Sequence, residues 1–118
     1  MYKKKYTIIT GKAALPQDTL LIKGIIKEQL YESKKGIITD IKEYYFIPDE
    51  QEISKHKLAK EYFIKIGEGK VMKDELTKLS GKEVIIKAFC KRGLWDATDK
   101  THASRFGDYV AIMEISNL

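Results

Sequence analysis

Between Thr19 and Ile115 the apolar residues return at every second position, in runs closed by glycine or proline. A period of two puts successive side chains on opposite faces, the signature of a strand with one covered face. This pattern constrains the fold more than any other feature. In Thr19–Gln29, Leu20, Ile22, Gly24 and Ile26 share one face, and Leu21, Lys23, Ile25 and Lys27 the other. Gly24 inside that run predicts a bulge or a sharp bend. Ser33 to Gly36 reads as a turn, and Ile37–Ile47 as the partner strand of a long antiparallel hairpin, ended by Pro48-Asp49. Residues 49–58 are polar and read as a loop or one irregular helical turn.

Glu61–Ile66 is a further strand, closed by Gly67-Glu68-Gly69. One stretch breaks the alternation. In Val71–Ser80, Met72, Leu76 and Leu79 fall on one face of a helix, and Gly81 stands at its C-terminal stop. Glu83–Cys90 returns to alternation, with Val84, Ile86, Ala88 and Cys90 on one face. Lys91 to Phe106 reads as a long polar connection, and Asp108–Ile115 as the last strand. Tyr6–Thr10 is a short candidate strand ahead of these, with a turn at Pro16-Gln17-Asp18.

The reading is mainly β: one domain over residues 1–118, five main strands and one short helix. Residues 1–18 form an extra edge strand in it. The order strand, strand, strand, helix, strand, strand resembles the OB fold, a five-stranded barrel with a helix between its third and fourth strands. The phrase Leu79-Ser80-Gly81-Lys82-Glu83-Val84-Ile85-Ile86-Lys87 is similar to a helix-end, Gly-Lys, strand passage of bacterial OB domains of the tRNA-anticodon-binding-like type. The resemblance covers roughly residues 19 to 116. An α+β roll is the competing architecture.

The chain carries 22 Lys and Arg against 17 Asp and Glu, a net charge of +5. Residues 36–50 are locally acidic, with Asp40, Glu43, Asp49 and Glu50 against Lys42. A basic balance favours polyanions at long range. Arginine, the usual bidentate reader of bases, occurs only as Arg92 and Arg105. Both lie in the 91–107 segment with the single tryptophan. The resemblance makes that segment one of two loops beside an OB ligand face. Trp95 and Phe106 there suit base stacking, Arg92 and Arg105 suit phosphate or stacking, and Lys91 joins them as a binding residue. The plainer reading has Trp95 and Phe106 fold the loop back as an anchor. A second platform is an outward Tyr45 with Lys23, Lys27, Lys42 and Lys65, while Tyr44 and Phe46 face the other way.

The expected function is a non-enzymatic module for single-stranded nucleic acid, with no cofactor and no metal. The alternative is an OB-like domain for a protein, a peptide or a small ligand, belonging to an envelope protein. Asp96, Asp99 and His102 at intervals of three are a weak metal set, more simply read as turn residues. The parity of Cys90 turns it inward, away from nucleophilic work. No run approaches the ~20 apolar residues of a membrane helix. The residues after Met1 lack a signal-peptide core, so the expected location is the cytoplasm, or the envelope if a leader lies upstream.

Overall fold

A computed structural model describes residues 18–32, 35–95 and 105–118. Five strands are present among them: β1 Leu20–Glu32, β2 Ile38–Pro48, β3 Tyr62–Ile64, β4 Glu83–Trp95 and β5 Arg105–Asn117. They form one sheet that closes in a ring, in the order β1-β2-β3-β5-β4 and back to β1. All pairs are antiparallel except β3 with β5. The candidate strand Tyr6–Thr10 lies outside the described residues.

The alternation in β1 places Ile22, Gly24 and Ile26 inside and Leu21, Lys23, Ile25 and Lys27 outside. Gly24 makes no bulge. It lies at a three-strand crossing, opposite Pro48 of β2 and Val84 of β4. A Cβ there would collide with the Ile47 carbonyl oxygen and come within 2.7 Å of Phe46 Cζ. The glycine is needed for close approach rather than for a bend. Ile22, Ile26, Tyr44, Phe46, Ile86 and Ile112 fill the interior of the ring with their neighbours.

Among the described residues there are two α-helices where one was expected. α1, Glu50–His56, occupies the polar stretch read as a loop. It has acidic Glu50 and Glu52 in its first turn and Lys55 and His56 in its last, which suits the helix dipole. Lys57 then takes a left-handed conformation, φ 56, and stops it. α2, Lys73–Leu79, is the anticipated helix, shorter at both ends. Leu76 is fully buried and Leu79 packs beside it, but Met72 is the N-cap and 65% exposed, not part of the apolar face. Gly81 follows with φ +78, as a helix stop requires. The buried Tyr44 hydroxyl lies 2.6 Å from Thr77 Oγ1 of α2 and donates to Glu28 Oε2 at 3.0 Å. That contact ties the helix to the β1–β2 hairpin.

The stretch read as a polar connection, Lys91 to Phe106, is strand at both of its ends. β4 continues to Trp95 and β5 begins at Arg105, with rungs Lys91–Tyr109, Arg92–Asp108, Gly93–Gly107, Leu94–Phe106 and Trp95–Arg105. Opposite charges and paired glycines hide the strand period there. Further along β5 a register shift falls between the Lys87 and Ala88 partners. It skips Met113 and changes the inward phase, so Val110 and Ile112 lie in the core and Ile115 packs against it. The simple alternation expected for Asp108–Ile115 fails for this reason.

Candidate binding face on the outside of the sheet

The outer face of the ring carries a second apolar cluster, Phe63, Trp95 and Tyr109, with Tyr45 against it. Register brings these rings together. Tyr45 of β2 stands opposite Phe63 of β3, and Phe63 stands opposite Tyr109 of β5. Trp95 reaches them from the far end of the β4–β5 hairpin. Its indole stacks on Phe63 at 4.8 Å and 9°, and meets Tyr109 edge-on at 6.2 Å. Tyr45 meets Phe63 edge-on at 5.7 Å. Offset-stacked and edge-to-face geometries are the favourable ones for ring quadrupoles.

Gly93 and Gly107 make this arrangement possible. They form one rung on the same side as Trp95, between the Trp95–Arg105 rung and the Lys91–Tyr109 rung. With no side chains on that rung, the indole lies over Gly107 and reaches Tyr109. Trp95 is therefore only 8% exposed. It stands in a paired strand and inside a ring cluster, not on a projecting loop.

Arg105 lies over three rings at once, with Cζ 5.1 Å from Tyr31, 5.4 Å from Phe63 and 5.6 Å from Trp95. Its Nη2 donates to Glu43 Oε2. Glu43 is 3% exposed and also accepts from the Tyr45 hydroxyl at 3.3 Å. The Arg105–Glu43 pair thus joins the β4–β5 hairpin to the β1–β2 hairpin. Removing a carboxylate from water is costly, and a close guanidinium with further hydrogen bonds is what offsets it. Burial, and then the Glu43 charge, push the Tyr45 phenol above its ordinary range.

The remaining expected residues separate into two groups. Lys65 belongs to the face. Its ammonium lies 4.9 Å from the Tyr109 ring centroid, 2.8 Å from Glu68 Oε2 and 3.4 Å from the Leu94 carbonyl oxygen. Lys91 pairs with Glu68 at 3.4 Å. Together, with Lys65 first, these ammonium groups hold the Glu68 carboxyl below its ordinary range. Arg92, Leu94 and Phe106 point to the opposite side of the hairpin, by alternation. There Arg92 pairs with Asp108 at 2.9 Å and lies 5.1 Å from the Phe106 ring, itself 62% exposed. Lys42 is likewise on the other side of β2 from Tyr45, 3.8 Å from Glu28.

Glu43, Tyr31, Tyr109 and the Gly93–Gly107 rung are parts of the face that the sequence did not single out as site residues. Tyr45, Lys65, Trp95 and Arg105 are the expected site residues that the structure brings to it. Among the described residues, no group of three His, Cys, Asp or Glu is placed to hold a metal ion. Asp96, Asp99 and His102 lie outside the described residues. Cys90 packs against the core, and burial pushes its thiol up to about 11. It is protonated at neutral pH and a poor nucleophile. No helix among the described residues is long and apolar enough to cross a membrane. Comparison with family models, curated proteins and solved structures gives no significant match to this chain.

Proposed function

We propose that the chain is a non-enzymatic binding module built on an OB-like barrel, with a partner of low charge on the outer face of β2, β3 and β5. Three features support the OB-like reading: the ring order β1-β2-β3-β5-β4, the parallel β3–β5 contact, and α2 between β3 and β4. In OB domains the ligand lies on the strand 2–3 face, beside the loops that follow strands 1 and 4. The aromatic cluster stands on that face, and the β1–β2 and β4–β5 hairpins meet over it through Arg105 and Glu43.

The observation that carries the choice of partner is charge cancellation. Each of the five cations expected among the binding residues stands within 4.0 Å of a carboxylate: Lys42 with Glu28, Lys65 and Lys91 with Glu68, Arg92 with Asp108, Arg105 with Glu43. A phosphodiester would have to displace those carboxylates or lie beside them. A protein segment or small ligand with few charges meets no such conflict. Single-stranded nucleic acid is the second reading. It is favoured by the net charge of +5 and by the exposed Lys55, Lys57 and Lys60 around the end of α1.

Two measurements separate the readings. The first is fluorescence anisotropy with labelled single-stranded 20-mers at low salt. The protein reading expects no saturable rise at tens of micromolar chain. Even sequence-independent nucleic-acid binders reach about 10⁻⁴–10⁻⁶ M. The second is selection from a random peptide display library, which is expected to yield low-charge peptides that compete for one site. Salt-sensitive oligonucleotide binding with no peptide selected would overturn the proposal in favour of the second reading.

A further inference from the structure

We propose that a cleft on the outer face of β4 and β5 is a site for a small aromatic monocarboxylate. The cleft measures about 480 Å³ and is lined by Thr19, Lys70, Lys87, Phe89, Met113 and Glu114. Small-molecule sites commonly span about 300–1,000 Å³. It shares no residue with the cluster of Phe63, Trp95 and Tyr109, and it does not depend on the partner assigned to that cluster.

Two features of the backbone bring the lining together. Neighbours in a regular strand point to opposite faces. Met113 and Glu114 are consecutive in β5, yet both line the cleft beside Lys87 and Phe89 of β4. The cause is the register shift: Glu114 pairs with Lys87 and Ile112 with Ala88, which leaves Met113 as the extra residue. Such a bulge re-aims a side chain. Lys70 is fixed at the edge of the same cleft by its backbone N–H, which donates to the Ile112 carbonyl oxygen at 2.8 Å. Gly69 permits that approach, since a Cβ there would lie 2.6 Å from the same oxygen.

The lining selects the ligand. Phe89 offers a ring for offset or edge-on contact, and the Met113 thioether adapts to a flat partner. Lys70 is in no ion pair among the described residues. Lys87 pairs with Glu114 at 3.7 Å, but the Glu114 side chain is 72% exposed, and such pairs are weak. Lys91 stands 5.8 Å from the Phe89 ring and is held by Glu68. One ammonium is therefore free beside an apolar floor, while Glu114 opposes a second negative charge. A ring bearing one carboxylate matches that balance, and a dianion does not.

The test is a titration of the intact chain with 2-naphthoate, with neutral 2-naphthalenemethanol and with non-aromatic cyclohexanecarboxylate. The Met113 methyl signal, assigned with Met113→Leu, reports the cleft, and the indole N–H of the sole tryptophan reports the aromatic cluster. The Met113 signal is expected to move along a saturable curve with 2-naphthoate while the indole stays fixed. The alcohol and the non-aromatic acid are each expected to bind about threefold more weakly or worse, the scale of one exposed ion pair. Lys70→Gln, a change at an exposed side chain with no ion pair to lose, is expected to weaken 2-naphthoate to the same extent. The proposal is overturned if 2-naphthoate leaves Met113 unmoved, if the alcohol or the non-aromatic acid binds as tightly, if Lys70→Gln binds 2-naphthoate unchanged, or if the indole follows the same curve.

Discussion

The Trp95 indole lies across Gly107. A Cβ built on that glycine would stand 3.1 Å from Cη2 and 3.3 Å from Cζ3 of the ring. The same construction on Gly93, its cross-strand partner, meets nothing nearer than Tyr109 Cε2 at 3.8 Å, an ordinary contact. The two glycines of one rung therefore differ in what they permit. Gly107→Ala is expected to push the indole off Phe63 and to cost about 1–3 kcal/mol, the usual range for overpacking. Gly93→Ala is expected to cost less than about 1 kcal/mol. Urea denaturation followed by the tryptophan emission reads both. Equal effects of the two changes would show that the indole does not depend on this slot.

Trp95→Ala removes the centre of the outer cluster and is expected to destabilise by about 3–5 kcal/mol, as for a buried aromatic elsewhere. Circular dichroism melting of the variant checks this. A loss below about 1 kcal/mol would mean that the ring is presented to solvent rather than packed.

Glu43 and Arg105 are expected to be coupled. Removing one partner of a buried pair leaves an uncompensated charge and costs about 3–5 kcal/mol. Glu43→Gln should fall at the lower end, because the Arg105 side chain is 28% exposed. The double change Glu43→Gln/Arg105→Met should cost clearly less than the two single changes added. A double-mutant cycle from denaturant midpoints measures the difference, and additivity would deny the pair.

Cys90 sets a pH dependence with a defined sign. Burial raises its thiol from the ordinary 9.0 to about 11 in the folded chain. The folded state thus favours the protonated form more than the unfolded state does. This stabilisation is complete below pH 9.0, and is lost as the pH rises to about 11. Relative to Cys90→Ala, the native chain is expected to lose stability across that window. At pH 8 the thiol is expected to react with a disulfide reagent at least tenfold more slowly than a free cysteine. Rapid labelling of the folded chain at pH 8 would contradict the buried placement.

The ring interior was legible where β1 and the first half of β4 alternate cleanly, and α2 because Leu76 and Leu79 interrupt that alternation at helical spacing. α1 was not legible, since Glu50–His56 has one apolar residue, Ile53, and buries none of its residues. A helix held by its charges and its stop leaves no periodic signal. The outer half of the β4–β5 hairpin was hidden for a different reason. An ion pair, Arg92 and Asp108, and two paired glycines interrupt its rungs, so neither face carries an apolar period. Glu43 illustrates the limit of local reading. Nothing near it in sequence marks it as buried, because its partner Arg105 is 62 residues away.

The central claim is that the outer cluster on β2, β3 and β5 receives a low-charge partner. Its most direct test is an amide and side-chain NMR map of the intact chain, recorded with a display-selected peptide and separately with a single-stranded 20-mer. The account predicts peptide-dependent shifts at Tyr45, Phe63, Trp95, Arg105 and Tyr109, with the oligonucleotide leaving all five unmoved. Shifts at these residues with the oligonucleotide but not the peptide, or peptide shifts confined to other faces of the ring, would contradict it.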